Sequence, residues 1–332
     1  MINWGIIGFG NMSLRFVDAI KEINNSKLVS IASLSKKKTD NLINKLGIDS
    51  SLYFNNYDEL ITSPEVDAIY ISTLNNTHLD IIKRCALANK KILCEKPMTI
   101  NYEQAASIFK VIEENKISFL EGFVYRHHKQ SQFLHNLIKA GEIGDIHKVE
   151  SSFGYKVKKT DPNSRLFNKH LGGGAILDVG CYTTSFCLMV AKSISEQNLS
   201  NFKLQNIRGS KGLTDVDESA EADLIFNGNL KMSIKTSIRE NLKNNCVIYG
   251  SKGKILIANP WVPNQKSIIE IYNGNNYYKQ FIKSEYTAYA QQIDFFNNKN
   301  FGKKINLVDT FMSNKESLIN MKILDDWKKG FF

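Results

Sequence analysis

The sequence has little of what would mark a membrane protein or a disulfide-stapled one. It contains no uninterrupted run of about 18 apolar residues, which argues against a membrane-spanning helix. Its opening stretch MINWGIIGFG has no basic region followed by a long apolar core, so it predicts a first strand and not a signal peptide. The five cysteines are scattered without a Cys-x-x-Cys pair, which leaves a disulfide framework and a zinc site poorly supported. We therefore expect a protein of the reducing cytoplasm without a bound metal.

The chain is strongly basic, but its positive charge is not concentrated. It has 43 lysines and arginines against 33 acidic residues, a formal net charge of +10. The lysines lie in short clusters such as 36–38, and no nucleic-acid-binding motif accompanies them. This pattern favours a solvated surface over a nucleic-acid interface, and it also suits anionic ligands such as a dinucleotide or a phosphorylated sugar. We expect a small-molecule partner, and neither nucleic acid nor membrane.

At 332 residues the chain is long enough for two domains, and its pattern changes along its length. Residues 1–122 alternate short apolar strands with amphipathic helices, which predicts an α/β Rossmann domain with a doubly wound parallel sheet. Residues 123–302 start with a helix and continue mainly as strands, which predicts an α+β substrate-binding domain: an open mixed or antiparallel sheet with helices on one face. Residues 303–332 are predicted to form a helical segment that packs back on the first domain.

A glycine turn follows the first predicted strand. The stretch GIIGFGNMS places Gly8 and Gly10 between strand and helix, with Ser13 where the third glycine of a dinucleotide-binding fingerprint falls. Gly8 allows a tight turn, Gly10 lets backbone amides approach a pyrophosphate at a helix N-terminus, and Ser13 is small enough for close packing. At the head of an α/β pattern, this truncated fingerprint favours dinucleotide binding over a plain turn.

The end of the second predicted strand, SIASLSKKK, bears on the choice of dinucleotide. An acidic residue there binds the ribose hydroxyls of NAD, whereas hydroxyl and basic groups suit the 2′-phosphate of NADP. The stretch has no acid and offers Ser33, Ser35, Lys36 and Lys37. We therefore expect NADP in preference to NAD, the alternative being that the lysines only open a solvated helix.

Three stretches place polar residues where a ligand could meet them. ILCEKPMTI puts Glu95, Lys96 and Pro97 directly after an apolar strand, where a surface turn would ordinarily recruit Gly, Asn or Asp. STLNNTHLD follows another strand, at the carboxyl edge where open α/β sheets bind ligands. GGGAILDVGCY has three glycines, which permit close approach by substrate or cofactor, before a helix on which Asp178 and Tyr182 share one side.

Taken together and in this order, the motifs resemble those of the glucose–fructose oxidoreductase/inositol dehydrogenase/rhizopine catabolism (Gfo/Idh/MocA) family. CEKP, THL, GFVYRHHKQ and GGGAILDVGCY carry the resemblance, which covers nearly the whole chain. Within the family, the chain most resembles the dihydrodiol dehydrogenase and glucose–fructose oxidoreductase branch. That branch has Tyr at the position of Tyr182, where inositol-dehydrogenase relatives often have His. The resemblance implies an NAD(P)-dependent oxidoreductase that forms a homodimer or homotetramer through the sheet of its second domain.

The resemblance also implies roles for individual residues. It implies catalytic roles for Lys96, Asp178 and Tyr182, a substrate-side place for Arg126, and a cis Lys96–Pro97 bond. From their positions before the glycines, Arg165 and His170 are further substrate-binding candidates. With the glycine loop included, the cofactor-binding candidates are Gly8, Phe9, Gly10, Asn11, Met12, Ser33, Ser35, Lys36, Lys37, Thr73, Asn75, His78, Glu95, Lys96 and Pro97. Two positions depart from the family pattern: NADP-dependent relatives often have arginine in place of Leu34, and proline is common in the family in place of Leu74.

Lysine and tyrosine suit the oxidation of a secondary alcohol. The substrate carbon loses hydride while its hydroxyl loses a proton to a group within ~2.6–3.2 Å. Reference pKa values of ~10 for Tyr and ~10.4 for Lys are too high for a base near neutrality. Burial beside a cationic nicotinamide would lower the lysine pKa, and a neighbouring ammonium favours tyrosinate. We assign the proton to Tyr182, with Lys96 as its electrostatic partner and Asp178 orienting the pair; the reverse assignment of Tyr182 and Lys96 stays open.

The sequence therefore predicts hydride transfer between a nicotinamide and the secondary alcohol or carbonyl of a sugar, sugar derivative or dihydrodiol. The alternative is a non-catalytic dinucleotide-binding sensor or scaffold of the same fold. The presence of Lys96, Asp178 and Tyr182 together argues against this alternative, because a scaffold has no need of all three.

Overall fold

The chain forms two compact units in a computed structural model, which describes residues 1–35, 39–40, 44, 49–195, 199–227, 229–298 and 310–331. The first unit takes its described residues from 1–99, 103–122 and 289–306. The second takes them from 100–102, 123–288 and 307–332. The division into domains at 122/123 and 302/303 stays a prediction.

The first unit is built on a six-stranded parallel sheet in the order β3-β2-β1-β4-β5-β6. Its strands are β1 (Ile2–Ile7), β2 (Ser26–Ala32), β3 (Tyr53–Phe54), β4 (Ala68–Ile71), β5 (Lys91–Cys94) and β6 (Phe119–Glu121). Strand β4 is buried along its whole length and β5 over its last three residues, as expected of parallel strands covered on both faces. The order reverses at β1, which is the doubly wound Rossmann arrangement predicted from the sequence.

The helices connect and cover the strands. They are α1 (Asn11–Ile20), α2 (Tyr57–Thr62), α3 (His78–Leu87), α4 (Tyr102–Glu114), α5 (Lys129–Lys139), α6 (Cys181–Ile194), α7 (Ala288–Asn298) and α8 (Asn314–Phe331). Aromatic rings hold α1 and α7 to the first sheet: Trp4 of β1 lies 5.2 Å from Phe16 and 5.1 Å from Phe296. Phe16 also stacks on Tyr70 of β4 at 4.1 Å. These contacts pack α1 and α7 on strands β1 and β4.

The second unit is built on an eight-stranded mixed sheet in the order β14-β13-β12-β11-β7-β10-β9-β8. Its strands are β7 (Ile146–Gly154), β8 (Phe202–Lys211), β9 (Asp217–Phe226), β10 (Leu230–Ser237), β11 (Cys246–Gly250), β12 (Gly253–Ile257), β13 (Lys266–Asn273) and β14 (Asn276–Lys283). Strands β7 and β10 pair in parallel, and the other neighbours are antiparallel. Burial alternates along β9 and β13, so one face of the sheet meets the core and the other is open.

Helix α6 is the central helix of the second unit and packs on α5, α8, β7 and β10. Its residues from Cys181 to Ser193 are all buried. The helical stretch Lys169–Ile194 is long and apolar enough to cross a membrane, but its apolar window is wholly buried inside the protein, as in a core helix. The mixed open sheet with helices packed on it confirms the fold predicted for the second half.

Candidate active site

The glycine loop between β1 and α1 is held by two serines. Gly8 has a φ of +85°, and a Cβ there would lie 2.6 Å from Cγ2 of Thr73, so only glycine fits. The Oγ of Ser13 donates to the Gly8 carbonyl at 2.6 Å and accepts from the Gly10 amide at 3.2 Å. Ser72 donates to the same carbonyl at 2.7 Å. Ser13 therefore ties the loop together, a function beyond the small size predicted for it.

Gly10 is the residue that leaves room for a ligand. Its φ of −143° is open to any residue, and a Cβ added there would meet no atom within 4 Å. Gly10 is the N-cap of α1, whose first turn is fully described and carries no acidic residue, so the positive end of the helix faces this space. Nearby, Phe9 is buried, Met12 is half-buried and Asn11 is exposed. An open helix N-terminus beside a glycine fits the pyrophosphate of a dinucleotide.

The end of β2 presents hydroxyl groups and a leucine. Ser33 is buried, its carbonyl accepts from Tyr53 at 2.8 Å, and its Oγ accepts from the Ser35 amide at 3.4 Å. Ser35 is exposed, and Leu34 is 74% exposed. The candidates Lys36 and Lys37 lie outside the described residues. At this edge of the sheet, the exposed apolar side chain of Leu34 thus lies between two serines.

The turn after β5 buries both neighbours of Lys96. Glu95 is buried, accepts from the Tyr70 hydroxyl at 2.6 Å, and has its pKa raised by that burial. Pro97 is also buried, and the Lys96–Pro97 bond is cis, as expected. Glu121 holds the far side of the turn by accepting from the Met98 amide at 2.9 Å. Lys96 is half-buried, so of the Glu-Lys-Pro motif its ammonium is the group that can reach a ligand.

His78 joins this turn to the end of β4. It is fully buried, and its ring nitrogens lie 3.3 Å from the carbonyls of Pro97 and Thr73. Burial lowers its pKa to about 4, so the ring is neutral near pH 7. Thr73 in turn accepts from Thr77 at 2.7 Å, in the 3₁₀ turn that contains Asn75. His78 therefore braces two loops, since it has no exposed surface with which to touch a ligand.

In the second unit, two of the three glycines before α6 lie against other parts of the protein. Gly172 and Gly174 have φ values of +77° and +112°. A Cβ on Gly173 would lie 2.7 Å from the Leu166 carbonyl, and one on Gly174 would lie 2.8 Å from Cγ of Asp217 and collide with its Oδ1. The glycines were expected to admit substrate or cofactor. At Gly173 and Gly174 they admit the preceding loop and a buried carboxylate instead.

Asp178 lies at the centre of a cluster of polar side chains. It lies in a π-helical turn, Ile176–Gly180, that leads into α6, a feature often found at functional sites. Arg165 donates to its Oδ1 at 2.6 Å, and the Tyr155 hydroxyl donates to its Oδ2. Burial and then the charge of Asp178 raise the pKa of Tyr155, which keeps this tyrosine protonated. The structure thus brings Asp178 and Arg165 together and adds Tyr155.

Tyr182 lies in a cluster of aromatic rings at the start of α6. Its ring centroid is 5.3 Å from Phe153, 5.6 Å from Phe123 and 5.9 Å from Trp261. Phe153 is itself stacked on Trp261 at 5.3 Å. Tyr182 is 7% exposed, so the rings fix the phenol in one place and leave little of it open.

The remaining substrate-side candidates differ sharply in exposure. Arg126 has no exposed surface: its guanidinium pairs with Glu316 at 3.3 Å and donates to the Ser185 carbonyl at 2.6 Å. A side chain so enclosed serves the core, in contrast to the substrate-side place implied by the resemblance. His170 is exposed in the 3₁₀ turn Lys169–Leu171, and Arg165 keeps 52% of its side chain exposed.

Three residues that hold these sites were missed in the sequence: Tyr70, Tyr155 and Asp217. Tyr155 follows the last residue of β7, and a polar side chain directly after a predicted strand is a signal that could have found it. Tyr70 is one residue of a wholly buried strand, and nothing local shows that its hydroxyl meets Glu95. The five cysteines are buried and form no disulfide, and among the described residues no group of three or more His, Cys, Asp and Glu could hold a metal.

Two family sequence models match most of the chain. One is described as "Oxidoreductase family, NAD-binding Rossmann fold" (GFO_IDH_MocA) and matches residues 2–123. The other is described as "GFO/IDH/MocA C-terminal domain" and matches residues 131–256. The two matches follow one another in the order of the Rossmann unit and the mixed sheet.

Known proteins resemble the chain over most of its length. Trans-1,2-dihydrobenzene-1,2-diol dehydrogenase of Xenopus tropicalis is 29% identical over 263 residues, 78% of this chain and 76% of that protein. The protein of that name from Homo sapiens is 26% identical over 267 residues, 80% of this chain and 77% of its own. A 3-ketoreductase from Actinomadura kijaniata, crystallised with NADP and TDP-benzene, has a TM-score of 0.85 at 21% identity, covering 99% of this chain and 98% of its own. An aldose-aldose oxidoreductase from Caulobacter crescentus, crystallised with glycerol, has a TM-score of 0.84 at 20% identity, covering 99% and 96%.

Proposed function

Because the chain belongs to the Gfo/Idh/MocA family of NAD(P)-binding oxidoreductases, we propose that it transfers hydride between nicotinamide and the secondary alcohol or carbonyl of a sugar, sugar derivative or dihydrodiol. The observation that carries the proposal is the turn at Lys96. Its neighbours Glu95 and Pro97 are buried, whereas Lys96 is half-buried and keeps part of its side chain accessible to a ligand. The relatives are named dihydrodiol dehydrogenase, ketoreductase and aldose oxidoreductase, which supports a cyclic polyol-like substrate.

The bound nicotinamide would supply the hydride acceptor in one direction and the hydride donor in the other. The chain would then handle the proton. We propose that Tyr182 accepts the proton of the substrate hydroxyl and that Lys96 favours the tyrosinate by its charge. Tyr155 is a poor base because its pKa is raised, so it is better suited to hold Asp178 by donating to it. Asp178 would accept a hydrogen bond from a substrate hydroxyl.

We propose NADP as the preferred cofactor. No acidic residue follows β2, where a carboxylate would repel a 2′-phosphate, and the hydroxyl of Ser35 is exposed there. The 3-ketoreductase of the same fold was crystallised with NADP. Calorimetric titration should give a smaller Kd for NADPH than for NADH. A preference for NADH would overturn the choice of cofactor and leave the proposed reaction standing.

The catalytic proposal is tested by turnover on a panel of sugars, keto sugars and dihydrodiols with both cofactors. Lys96→Met should still bind cofactor, with whatever weakening the loss of this cofactor-binding candidate brings, and lose about 10²-fold or more in kcat at saturating cofactor, in the range expected for a general acid–base group. Wild-type turnover by this variant would refute the mechanism. A wild-type chain that binds cofactor but turns over nothing on the panel would favour the sensor or scaffold.

We also propose that the chain forms a homodimer or homotetramer through the open face of the second sheet. Ile268 and Phe281 pair across β13 and β14, and with Tyr277 they are exposed on this face. A groove of about 680 Å³ on the same sheet is lined by both acidic and basic side chains, which suits a self-complementary contact. Light scattering should give a dimer or larger, and Phe281→Lys should shift it toward monomer. We also propose a cytoplasmic location, because the five buried cysteines form no disulfide.

A further inference from the structure

A buried carboxylate lies directly behind the glycines that precede α6. Asp217 opens β9 and is 1% exposed. Its Oδ2 accepts from the Ile176 amide at 2.6 Å, at the first residue of the π-helical turn. Its other oxygen lies against the Cα of Gly174, which is why a Cβ there would collide with it. The carboxylate therefore meets the chain at two points, one two residues before the π-helical turn and one at its first residue.

Capping a helical turn with a buried carboxylate has a high free-energy cost. A buried anion loses hydration, and this burial raises the pKa of Asp217 to about 6. Neutral Ser, Thr or Asn side chains cap helices without that cost. The ammonium of Lys328 on α8 offsets part of the charge. What the side chain contributes is a planar group that accepts the Ile176 amide with one oxygen and abuts Gly174 with the other.

The residue that abuts this carboxylate also carries Asp178. The Gly174 carbonyl accepts from the Asp178 amide at 3.1 Å, so a shift of Gly174 moves Asp178 directly. The Thr236 hydroxyl donates to the Ala175 carbonyl at 3.2 Å and secures the same turn from β10. Asp178 in turn holds Tyr155 and Arg165. A continuous chain of contacts thus runs from β9 to the proposed substrate site.

We propose that Asp217 is a positioning residue: by fixing Gly174 and Ile176 it sets the place of Asp178, an inference that rests on the proposed function. In this assignment Gly174 serves a contact inside the protein and not an approach by substrate. Asp217 itself touches neither substrate nor cofactor in this assignment.

The contact is tested first without any substrate. Hydrogen exchange should be measured on the segment 172–182 in wild type, Asp217→Ala and Asp217→Asn. We expect faster exchange in Asp217→Ala and near-wild-type exchange in Asp217→Asn, which keeps an oxygen for the Ile176 amide. Gly174→Ala should also speed exchange, and less so when combined with Asp217→Ala, which removes the collision. Gly141→Ala is the matched control, because its φ is +67° but a Cβ there meets nothing within 4 Å.

Activity then tests the consequence for catalysis. On a substrate found with wild type, Asp217→Ala should lose about 10- to 100-fold in kcat/KM, as small misplacements do, with NADPH affinity unchanged. Asp217→Asn should recover most of the loss. Unchanged exchange together with wild-type kcat/KM in Asp217→Ala would overturn the proposal, and so would an Asp217→Asn variant as impaired as Asp217→Ala. Absence of wild-type turnover would instead refute the proposed function, and the exchange results alone would then decide whether Asp217 holds the turn.

Discussion

Replacing Tyr70 with phenylalanine should destabilise the first unit by removing the hydrogen-bond donor of a buried acid. The Tyr70 hydroxyl lies 2.6 Å from Oε1 of Glu95, and the two side chains are 1% and 7% exposed. The ring of Tyr70 is stacked on Phe16, and phenylalanine keeps that stacking. The substitution therefore removes one hydroxyl and little else.

The size of the effect follows from the charge of the acceptor. A hydrogen bond to a charged group contributes about 1.5–3 kcal/mol, and a buried acceptor left without its donor keeps its desolvation cost. We expect Tyr70→Phe to lower the free energy of unfolding by about 2 kcal/mol near pH 7.

The loss should depend on pH, with a sign set by Glu95. Burial raises its pKa above 4.5, so the folded protein takes up this proton at a higher pH than the unfolded chain does. Acid therefore relieves the buried charge, and stability from this group rises as pH falls through the raised pKa toward 4.5. The Tyr70 hydrogen bond lowers the pKa of Glu95, so Tyr70→Phe raises that pKa further and the folded variant takes up the proton at a higher pH than wild type. The loss caused by Tyr70→Phe should therefore shrink as pH falls from the pKa of Glu95 in the variant to its pKa in wild type.

Urea unfolding at neutral and at mildly acidic pH measures both predictions. Tyr278→Phe is the control, because Tyr278 donates to Glu142 at 2.8 Å on the exposed surface and should change stability by less than about 0.5 kcal/mol. If Tyr70→Phe unfolded like the control at neutral pH, or lost more stability in acid, the buried carboxylate would not be charged as described.

Three further results are expected. Arg126→Met should cost about 3 kcal/mol or more in urea unfolding, because it leaves buried Glu316 with one cation fewer, and adding Glu316→Gln should recover part of the loss. Gly10→Ala should leave thermal stability nearly unchanged, because its Cβ meets nothing, but should weaken NADPH binding about tenfold or more in calorimetry by filling the open space. Asp217→Asn should be more stable than wild type above pH 6, because the wild-type pKa is raised to about 6; the difference measured by urea titration should shrink as pH falls through that value.

Local patterns in the sequence were enough to predict both sheets and the tight glycine turn after β1. Strands that alternate with helices are joined by crossover connections, and crossover connections join parallel strands. The doubly wound parallel sheet around β1 therefore follows from the alternation of strands and helices along the chain. Gly8 needs its positive φ and Gly10 its open space, which are requirements of single positions. These features depend on neighbours in sequence, and a pattern can therefore show them.

Other parts of the site depend on contacts that no local pattern records. In β9 the residues 220, 222, 224 and 226 face the core, so simple alternation would also bury Glu218 and expose Asp217. A bulge at Glu218, where Ser210 pairs with Ser219 but Lys211 pairs with Asp217, reverses the faces and turns Asp217 inward. Arg126 is similar, since its burial depends on Glu316, 190 positions away.

The buried cysteines can report local unfolding, because a buried thiol reacts with a reagent only after the structure around it opens. Cys85 and Cys94 lie in the first unit, whereas Cys181, Cys187 and Cys246 lie in the second. Burial raises the pKa of Cys85 to about 12 and also raises that of Cys94, Cys187 and Cys246, so these thiols stay unreactive while folded. Pulses of an alkylating reagent during mild denaturation, followed by peptide mass spectrometry, would record which unit loosens first without any introduced label.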